Sequence, residues 1–210
     1  ISGQSGTGGP HLHFEVRDRS QRPLNPLGQG FQVDDQLPPV IHRLRAWPVV
    51  ESSRINGSKG EWVLDSPGGA GLQGDLGVLN ITGPVAFSSQ IVDASDVRGH
   101  KLEPWLIEVI LDGETVYHCQ NDRFGFGENS LQRLEWTNWA DWTESGVQRE
   151  HWLHRRSANT LHGRKGDLWY LGNEGQGLEA GDHTMVLRAV DHSGQEAALS
   201  LILRVQMEAA

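Results

Sequence analysis

His11 and His13 are the residues whose types and spacing best fit chemistry at a metal ion or a reacting carbonyl. They alternate with Leu12, Phe14 and Val16, and this period of two predicts a β-strand with one apolar face. Residues i and i+2 of a strand project from the same face, so both imidazoles should open into one cleft. One histidine could then hold zinc while the other transfers a proton. Two solvent-facing histidines on an edge strand fit the pattern about equally well.

A glycine-rich loop precedes the predicted strand and ends at Pro10. Glycine adopts positive φ and proline fixes φ, so this composition predicts a tight turn. The segment Ser-Gly-Thr-Gly-Gly-Pro-His-Leu-His-Phe-Glu-Val-Arg (residues 5–17) closely resembles the last motif of the M23-type zinc peptidases, the LytM/lysostaphin-like group. The sequence Pro-Leu-Asn-Pro-Leu (residues 23–27) also resembles the exit of that family's chain from its catalytic domain. The resemblance covers residues 1–27.

The resemblance implies a role for each matching residue. His13 corresponds to a zinc ligand, and His11 corresponds to the catalytic histidine that acts on the attacking water and the oxyanion. The residues that would border the substrate groove are Gly6, Thr7, Gly8 and Gly9. Glu15 lies on the same strand face and is expected to be a salt-bridge partner or a residue that orients a ligand, rather than a general base.

The same resemblance implies a zinc metalloendopeptidase that cleaves peptide cross-links of peptidoglycan in a bacterial periplasm, cell envelope or secreted fraction. The family's zinc site also needs an upstream His-x-x-x-Asp motif and a further upstream histidine, for which this chain has no room before Ile1. The chain is therefore expected to be the C-terminal part of a longer polypeptide, inactive alone and unable to bind zinc tightly. The later sequence His-Gly-Arg-Lys-Gly-Asp (residues 162–167) is one residue too long to replace that motif and is predicted to be a polar turn.

Composition and charge exclude several other classes of protein. The 210 residues carry a formal net charge of −9 without a cluster of Lys or Arg, which argues against a nucleic acid or an anionic membrane surface as partner. No apolar run reaches the roughly 18 residues that a membrane-spanning helix needs. Cys119 is the single cysteine, so the fold cannot be a disulfide scaffold, and its thiol is expected to fill space rather than act as a nucleophile.

The fold is predicted to be mainly β, in two parts. Residues 1–33 would form the terminal strand and loop of the catalytic domain, and residues 34–39, Asp-Asp-Gln-Leu-Pro-Pro, a stiff linker. Residues 40–206 would form an immunoglobulin-like or fibronectin-like β-sandwich. Its predicted strands lie at residues 40–47, 61–64, 76–82, 85–92, 105–111, 114–119, 184–190 and 197–205.

Two local features refine this prediction of a sandwich. Asp112-Gly113 between two of the strands is a strong signal for a two-residue hairpin turn, because a type I′ turn needs positive φ at both positions. Residues 120–167 are polar and are predicted to be a long inserted loop, with a short helix possible at residues 130–142.

Two functional alternatives remain open from the sequence. The histidine motif could belong to a degenerate, non-catalytic relative that acts as a regulator or scaffold for envelope partners. The sandwich could instead be the working part, a cell-wall-binding module in which tryptophans such as Trp139 and Trp142 stack on sugar rings.

Overall fold

The computed structural model describes residues 14–31, 33–94, 101–137, 149–156, 159–166 and 177–207. The chain is mainly β, as predicted. Its described strands are β1 (Val16–Arg17), β2 (Pro23–Leu24), β3 (Val40–Pro48), β4 (Arg54–Ile55), β5 (Trp62–Asp65), β6 (Gly74–Thr82), β7 (Val85–Ala94), β8 (Lys101–Leu102), β9 (Leu106–Leu111), β10 (Glu114–Gln120), β11 (Glu150–Trp152), β12 (Arg164–Gly166), β13 (Gly181–Val190) and β14 (Glu196–Gln206). Short 3-10 helices occupy Pro26–Gln29, Pro67–Gly69 and Phe126–Leu134. Within these ranges no helix has the length and apolar character to cross a membrane.

The strands from β3 onwards form two sheets, which we call the sheet body. One sheet has seven strands in the order β12-β10-β9-β13-β14-β6-β4. The other has the order β11-β7-β3-β5, with β8 added beside one end of β7. Pairing is antiparallel except between β14 and β6, which run parallel. All eight predicted strand segments are strands, with ends within three residues of the predicted ones. The immunoglobulin-like assignment stays a prediction.

Alternating apolar residues from both sheets meet in one core. Leu187 on β13 and Leu201 on β14 are at most 1% exposed, and they share a buried cluster with Leu44 on β3. Each such side chain contributes about 1.5–3 kcal/mol by leaving water, which is the main stabilisation of the two-sheet arrangement. A register shift in the pairing of β3 with β7 lies between Ile41 and Arg43. It allows Ile41 and Leu44, which are three residues apart, to face the same core.

The hairpin predicted at Asp112-Gly113 is confirmed. Asp112 has φ 50° and Gly113 has φ 88°, as a type I′ turn requires. Asp112 tolerates this conformation while its Oδ1 accepts a hydrogen bond from the backbone N–H of Thr184 at 2.8 Å. The turn therefore fixes the register of β9 against β10 and also ties both to β13.

Residues 120–167 are not only a loop, and here the prediction was wrong. Strand β11 pairs with β7 in one sheet, and β12 pairs with β10 in the other. A 3-10 helix occupies Phe126–Leu134, earlier than the helix considered at residues 130–142, of which 138–142 lie outside the described ranges. Strands of three residues carry almost no periodic signal, so their pairing depends on the strands already assembled beside them.

The first described segment is a small ribbon that docks on the sheet body. Strand β1 pairs with β2, and the side chain of Asp18 closes their turn by accepting bonds from the N–H groups of Ser20 and Arg22 at 2.8 and 3.0 Å. Asn25 then attaches the ribbon, because its N–H donates to Asp122 O at 2.6 Å and its Nδ2 donates to Asn121 O at 3.1 Å. The end of the ribbon is thus held by backbone groups of the loop after β10.

The apolar face expected on the first strand is not buried within the described residues. Phe14 is 55% exposed and contacts Phe31, which is 48% exposed, with ring centroids 4.9 Å apart. A two-stranded ribbon has no second layer of its own to cover such a face. The strand assignment itself is confirmed only for Val16 and Arg17, because residues 11–13 lie outside the described ranges.

Candidate functional site

The six predicted site residues all fall in the part of the chain that the structure does not describe. They are His11, His13, Gly6, Thr7, Gly8 and Gly9. Their roles as catalytic group, zinc ligand and groove residues therefore stay predictions. Trp139 and Trp142, considered above for sugar stacking, also lie outside the described ranges.

Glu15 and Arg17 are the part of the histidine motif that the structure does describe. The guanidinium of Arg17 forms a salt bridge with the carboxylate of Glu15, and its Cζ lies 5.2 Å from the centre of the Phe126 ring. Glu15 is therefore a salt-bridge partner, which is one of the two roles expected for it. The contact with Phe126 brings the ribbon beside the 3-10 helix at Phe126–Leu134.

A cavity of about 450 Å³ lies where the end of the ribbon meets the sheet body. Its walls come from the ribbon, the end of β7, residues 102–105, the loop after β10, residues 149–151 and 161–164, and the turn after β13. Apolar and aromatic wall residues include Leu24, Trp105, Phe124, Trp136 and Leu161. The size and the aromatic lining are those of a site for a small organic group.

A buried ion pair is part of the lining of this cavity. Arg164 Nε donates to Glu135 Oε2 at 2.7 Å, and the two side chains are only 11% and 5% exposed. Asn159 Nδ2 also donates to Glu135, on Oε1. The remaining guanidinium nitrogens of Arg164 donate to Gln120 O and to Asn121 Oδ1, each at 2.8 Å. These polar groups all have hydrogen-bond partners within the protein. The network therefore holds residues 159–166 against β10 and needs no ligand to complete it.

Cys119 lies beside this network and is an inert thiol. Its Sγ is 3.6 Å from Glu135 Oε2, and the residue is 1% exposed. Burial raises the pKa of the Cys119 thiol to about 12, so almost none of it is thiolate at neutral pH. The prediction that this cysteine fills space is therefore supported by its burial and by its pKa.

A second group of charged side chains also lines the cavity. His151 Nε2 lies 2.7 Å from Glu103 Oε2, and Arg149 donates to Glu103 Oε1 at 2.9 Å. Burial alone would raise the pKa of Glu103, but the charges of His151 and Arg149 and the hydrogen bond from Arg149 hold that pKa below its usual value. Arg149 also covers the ring of Trp136, with its Cζ 4.1 Å from the ring centre. An anchored carboxylate beside an aromatic wall can orient a polar ligand.

His154 makes stability depend on pH. The residue is 8% exposed, and its Nδ1 is buried without a hydrogen-bond partner among the described residues. Its ring lies against Trp152, with the ring centroids 5.1 Å apart and the planes tilted by 53°. Burial, with a smaller contribution from Arg156, lowers the pKa of His154 to about 4. An unfolded chain protonates this ring near pH 6.5, so between about pH 6.5 and 4 the proton favours unfolding.

We therefore expect acidification from pH 7 to 4 to remove about 3 kcal/mol of stability through His154. Urea unfolding at several pH values measures this contribution as the difference between the wild type and His154→Gln. In the variant, the free energy of unfolding should fall less steeply as the pH is lowered. His162→Gln is the comparison variant, because that ring is exposed in a turn beside Arg123. Burial and the charge of Arg123 also lower the pKa of His162, so this variant should change the slope in the same direction but by less than His154→Gln. Equal slopes for the wild type and His154→Gln would contradict the assignment.

The polar turn predicted at residues 162–167 is confirmed only for residues 162–163, because residues 164–166 form strand β12. His162 and Gly163 form the turn that leads into β12, while Asp167 lies outside the described ranges. Among the described residues, the group that could hold a metal ion is instead Asp35, Asp93 and Asp191. Sequence reasoning missed it, although Asp93 and Asp191 each follow a predicted strand, which is a common place for ligand residues.

Comparisons with known proteins found no match. No protein-family model matches the chain, and neither the curated proteins nor the solved structures include one that is similar to it at the level required for a match.

Proposed function

We propose that this chain is the C-terminal part of a zinc metalloendopeptidase of the bacterial cell envelope, which cleaves peptide cross-links of peptidoglycan. The observation that carries the proposal is the segment at residues 5–17, which resembles the closing motif of the M23-type peptidases over thirteen consecutive positions. His13 would be a zinc ligand, and His11 would act on the attacking water and the oxyanion. The substrate groove would pass along Gly6, Thr7, Gly8 and Gly9.

The described residues do not complete a zinc site. A catalytic zinc ion takes three protein ligands, usually with histidine among them, and polarises the scissile carbonyl when bound. Within the described ranges, the cluster of potential metal ligands is Asp35, Asp93 and Asp191, and it contains no histidine. The two further ligands would therefore come from a preceding part of the protein, and we derive no catalytic step from this chain alone.

The exposed phenylalanines support a strand that belongs to a larger sheet. Phe14 and Phe31 leave about half of their surfaces in water, although phenylalanine is among the residues most often buried. In a peptidase of this type, the neighbouring strands of the catalytic domain would cover Phe14. Such cover would also fix the strand that carries His11 and His13.

The test uses the complete protein that contains this chain, purified and incubated with isolated peptidoglycan sacculi. We expect one zinc ion per molecule and release of soluble fragments that stops with 1,10-phenanthroline and returns with added zinc. This chelator prefers transition metals, so calcium can be kept in the buffer throughout. Hydrolysis that resists the chelator would contradict the proposal. A folded protein with neither zinc nor hydrolysis would favour the non-catalytic regulator.

A wall-binding role of the sheet body is a second candidate. The cavity of about 450 Å³ favours it, because Trp105 and Trp136 line it beside the anchored carboxylate of Glu103. Aromatic faces with a few fixed polar groups are typical of sugar and peptide sites. Binding of the present chain to sacculi without hydrolysis would be the signature of this role.

A further inference from the structure

Three carboxylates from distant parts of the chain meet at one end of the sheet body. Asp35 comes from the segment before β3, Asp93 lies near the end of β7, and Asp191 follows β13. One oxygen of each lies within 4.8 Å of the other two. Oxygens that each sit about 2.4 Å from one calcium ion lie within about 4.8 Å of one another, so this spacing fits a shared ion.

Two of the three side chains are buried, and one has an unused oxygen. Asp93 is 4% exposed and Asp191 is 1% exposed, whereas Asp35 is half-buried. Asp93 Oδ1 is buried and has no hydrogen-bond partner within the described part of the chain. A buried carboxylate oxygen without a donor is rare in folded proteins, because losing its water costs several kcal/mol unless something replaces it. The unused oxygen belongs to the carboxylate that the other two approach.

The carboxylates of Asp191 and Asp35 both accept hydrogen bonds, which hold them in place. Asp191 accepts from Gln195 twice, from the backbone N–H at 2.8 Å and from Nε2 at 3.2 Å. Gln195 Nε2 also donates to Asp35 O at 3.1 Å, and Asp35 Oδ1 accepts from Leu37 N at 3.2 Å. Gln195 therefore links the segment before β3 to the turn after β13. These bonds position the group but bring no positive charge to it.

The charge of the group is not balanced by the protein within the described ranges. None of the ion pairs recorded there includes Asp35, Asp93 or Asp191. Burial, followed by the charges of Asp191 and Asp35, raises the pKa of Asp93 to about 6. Carboxylates this close repel one another strongly where water is largely excluded. A divalent cation bound between them would neutralise the repulsion and give Asp93 Oδ1 a partner.

We propose that Asp35, Asp93 and Asp191 form a calcium site that fastens the segment before β3 to the ends of β7 and β13. An all-oxygen set selects a hard cation, and calcium accepts a flexible shell of six to eight oxygens completed by water and backbone carbonyls. Magnesium is a poorer fit, since it demands a near-ideal octahedron at shorter distances. The site does not depend on the proposed peptidase activity. It would set how the segment before β3 is held against the sheet body.

The test is calcium binding by the present chain after removal of metals and dialysis into chelator-free buffer at pH 7.5. Isothermal titration with calcium chloride should give a saturable single site. At a hundredfold excess over Kd, calcium should raise Tm by about 5–10 °C. Asp93→Asn and Asp35→Asn should each weaken binding at least about tenfold. Asp34→Asn is the matched control, because it removes the same charge from the neighbouring exposed residue and should bind like the wild type.

Several results would overturn the calcium site. Absence of heat and of a Tm shift in the wild type is the first. The second is calcium binding that stays unchanged in Asp93→Asn and Asp35→Asn, or that is weakened to the same extent in Asp34→Asn. If Asp93→Asn fails to fold, Asp35→Asn decides alone, because Asp35 is half-buried in the segment before the sheets and its removal leaves the core intact.

Discussion

Replacing His13 with alanine in the complete protein is expected to lower peptidoglycan hydrolysis about a thousandfold or more and to release the zinc. A metal ion contributes several kcal/mol of charge stabilisation to the transition state, and each 1.36 kcal/mol corresponds to a factor of ten in rate. The His11→Ala variant should differ from His13→Ala in its zinc content. We expect that variant to keep the zinc and to lose mainly kcat, because His11 is assigned to the reacting water and oxyanion rather than to the metal.

The measurements are zinc content by mass spectrometry and the initial rate of fragment release from sacculi. His162→Ala is the matched control, since His162 begins the other histidine-containing sequence that resembles a zinc motif but lies in a turn. It should keep both zinc and rate. Retention of zinc and activity by His13→Ala, or loss of both in His162→Ala, would show that the metal is held elsewhere.

Replacing Arg164 with methionine is expected to lower the free energy of unfolding by about 3–5 kcal/mol. The change leaves Glu135 buried at 5% exposure without its cation, with Asn159 and Cys119 as its remaining partners. It also removes two hydrogen bonds that fasten β12 to the end of β10. Urea unfolding of the present chain at pH 7.5, followed by circular dichroism, measures the loss.

Arg204→Met is the matched control for this experiment. Arg204 pairs with Asp182 through two contacts at 2.8 Å, yet both side chains are 49% exposed. Water screens such a pair, so its loss should cost much less than the loss of Arg164. Equal costs for the two variants would mean that Glu135 does not depend on Arg164. If Arg164→Met does not fold, Glu135→Gln, which keeps the shape and one acceptor oxygen, should give a measurable fraction of the same loss.

The long strands were predictable because their pattern is local. Leu199, Leu201 and Leu203 on β14 alternate with less buried residues, and the same period marks β13 beside it. The turn at Asp112 and Gly113 was equally visible, since two residues determine it. Strands β11 and β12 were missed for the opposite reason. Each has three residues, and it becomes a strand only because β7 or β10 offers unpaired backbone groups at its edge.

The candidate sites divide in the same way. The histidine motif could be read from the sequence, because His11 and His13 lie on one short segment whose neighbours also match. The cavity and its ion pair could not, because Glu135 and Arg164 come from separate parts of a segment that was predicted to be a loop. The exposure of Phe14 was also unexpected, since burial depends on which layer covers a strand and not on the strand's own alternation.

The sequence alone determined the mainly β fold, the positions of the long strands and the resemblance to a zinc peptidase. Each of these follows from residues that are close together in the chain, where side-chain direction and turn geometry are set locally. Only the tertiary structure decided that Asp35, Asp93 and Asp191 meet, with one carboxylate oxygen that has no donor among the described residues. Their meeting depends on how β7, β13 and the segment before β3 end side by side, and the order of strands in a sheet is fixed by packing over the whole core.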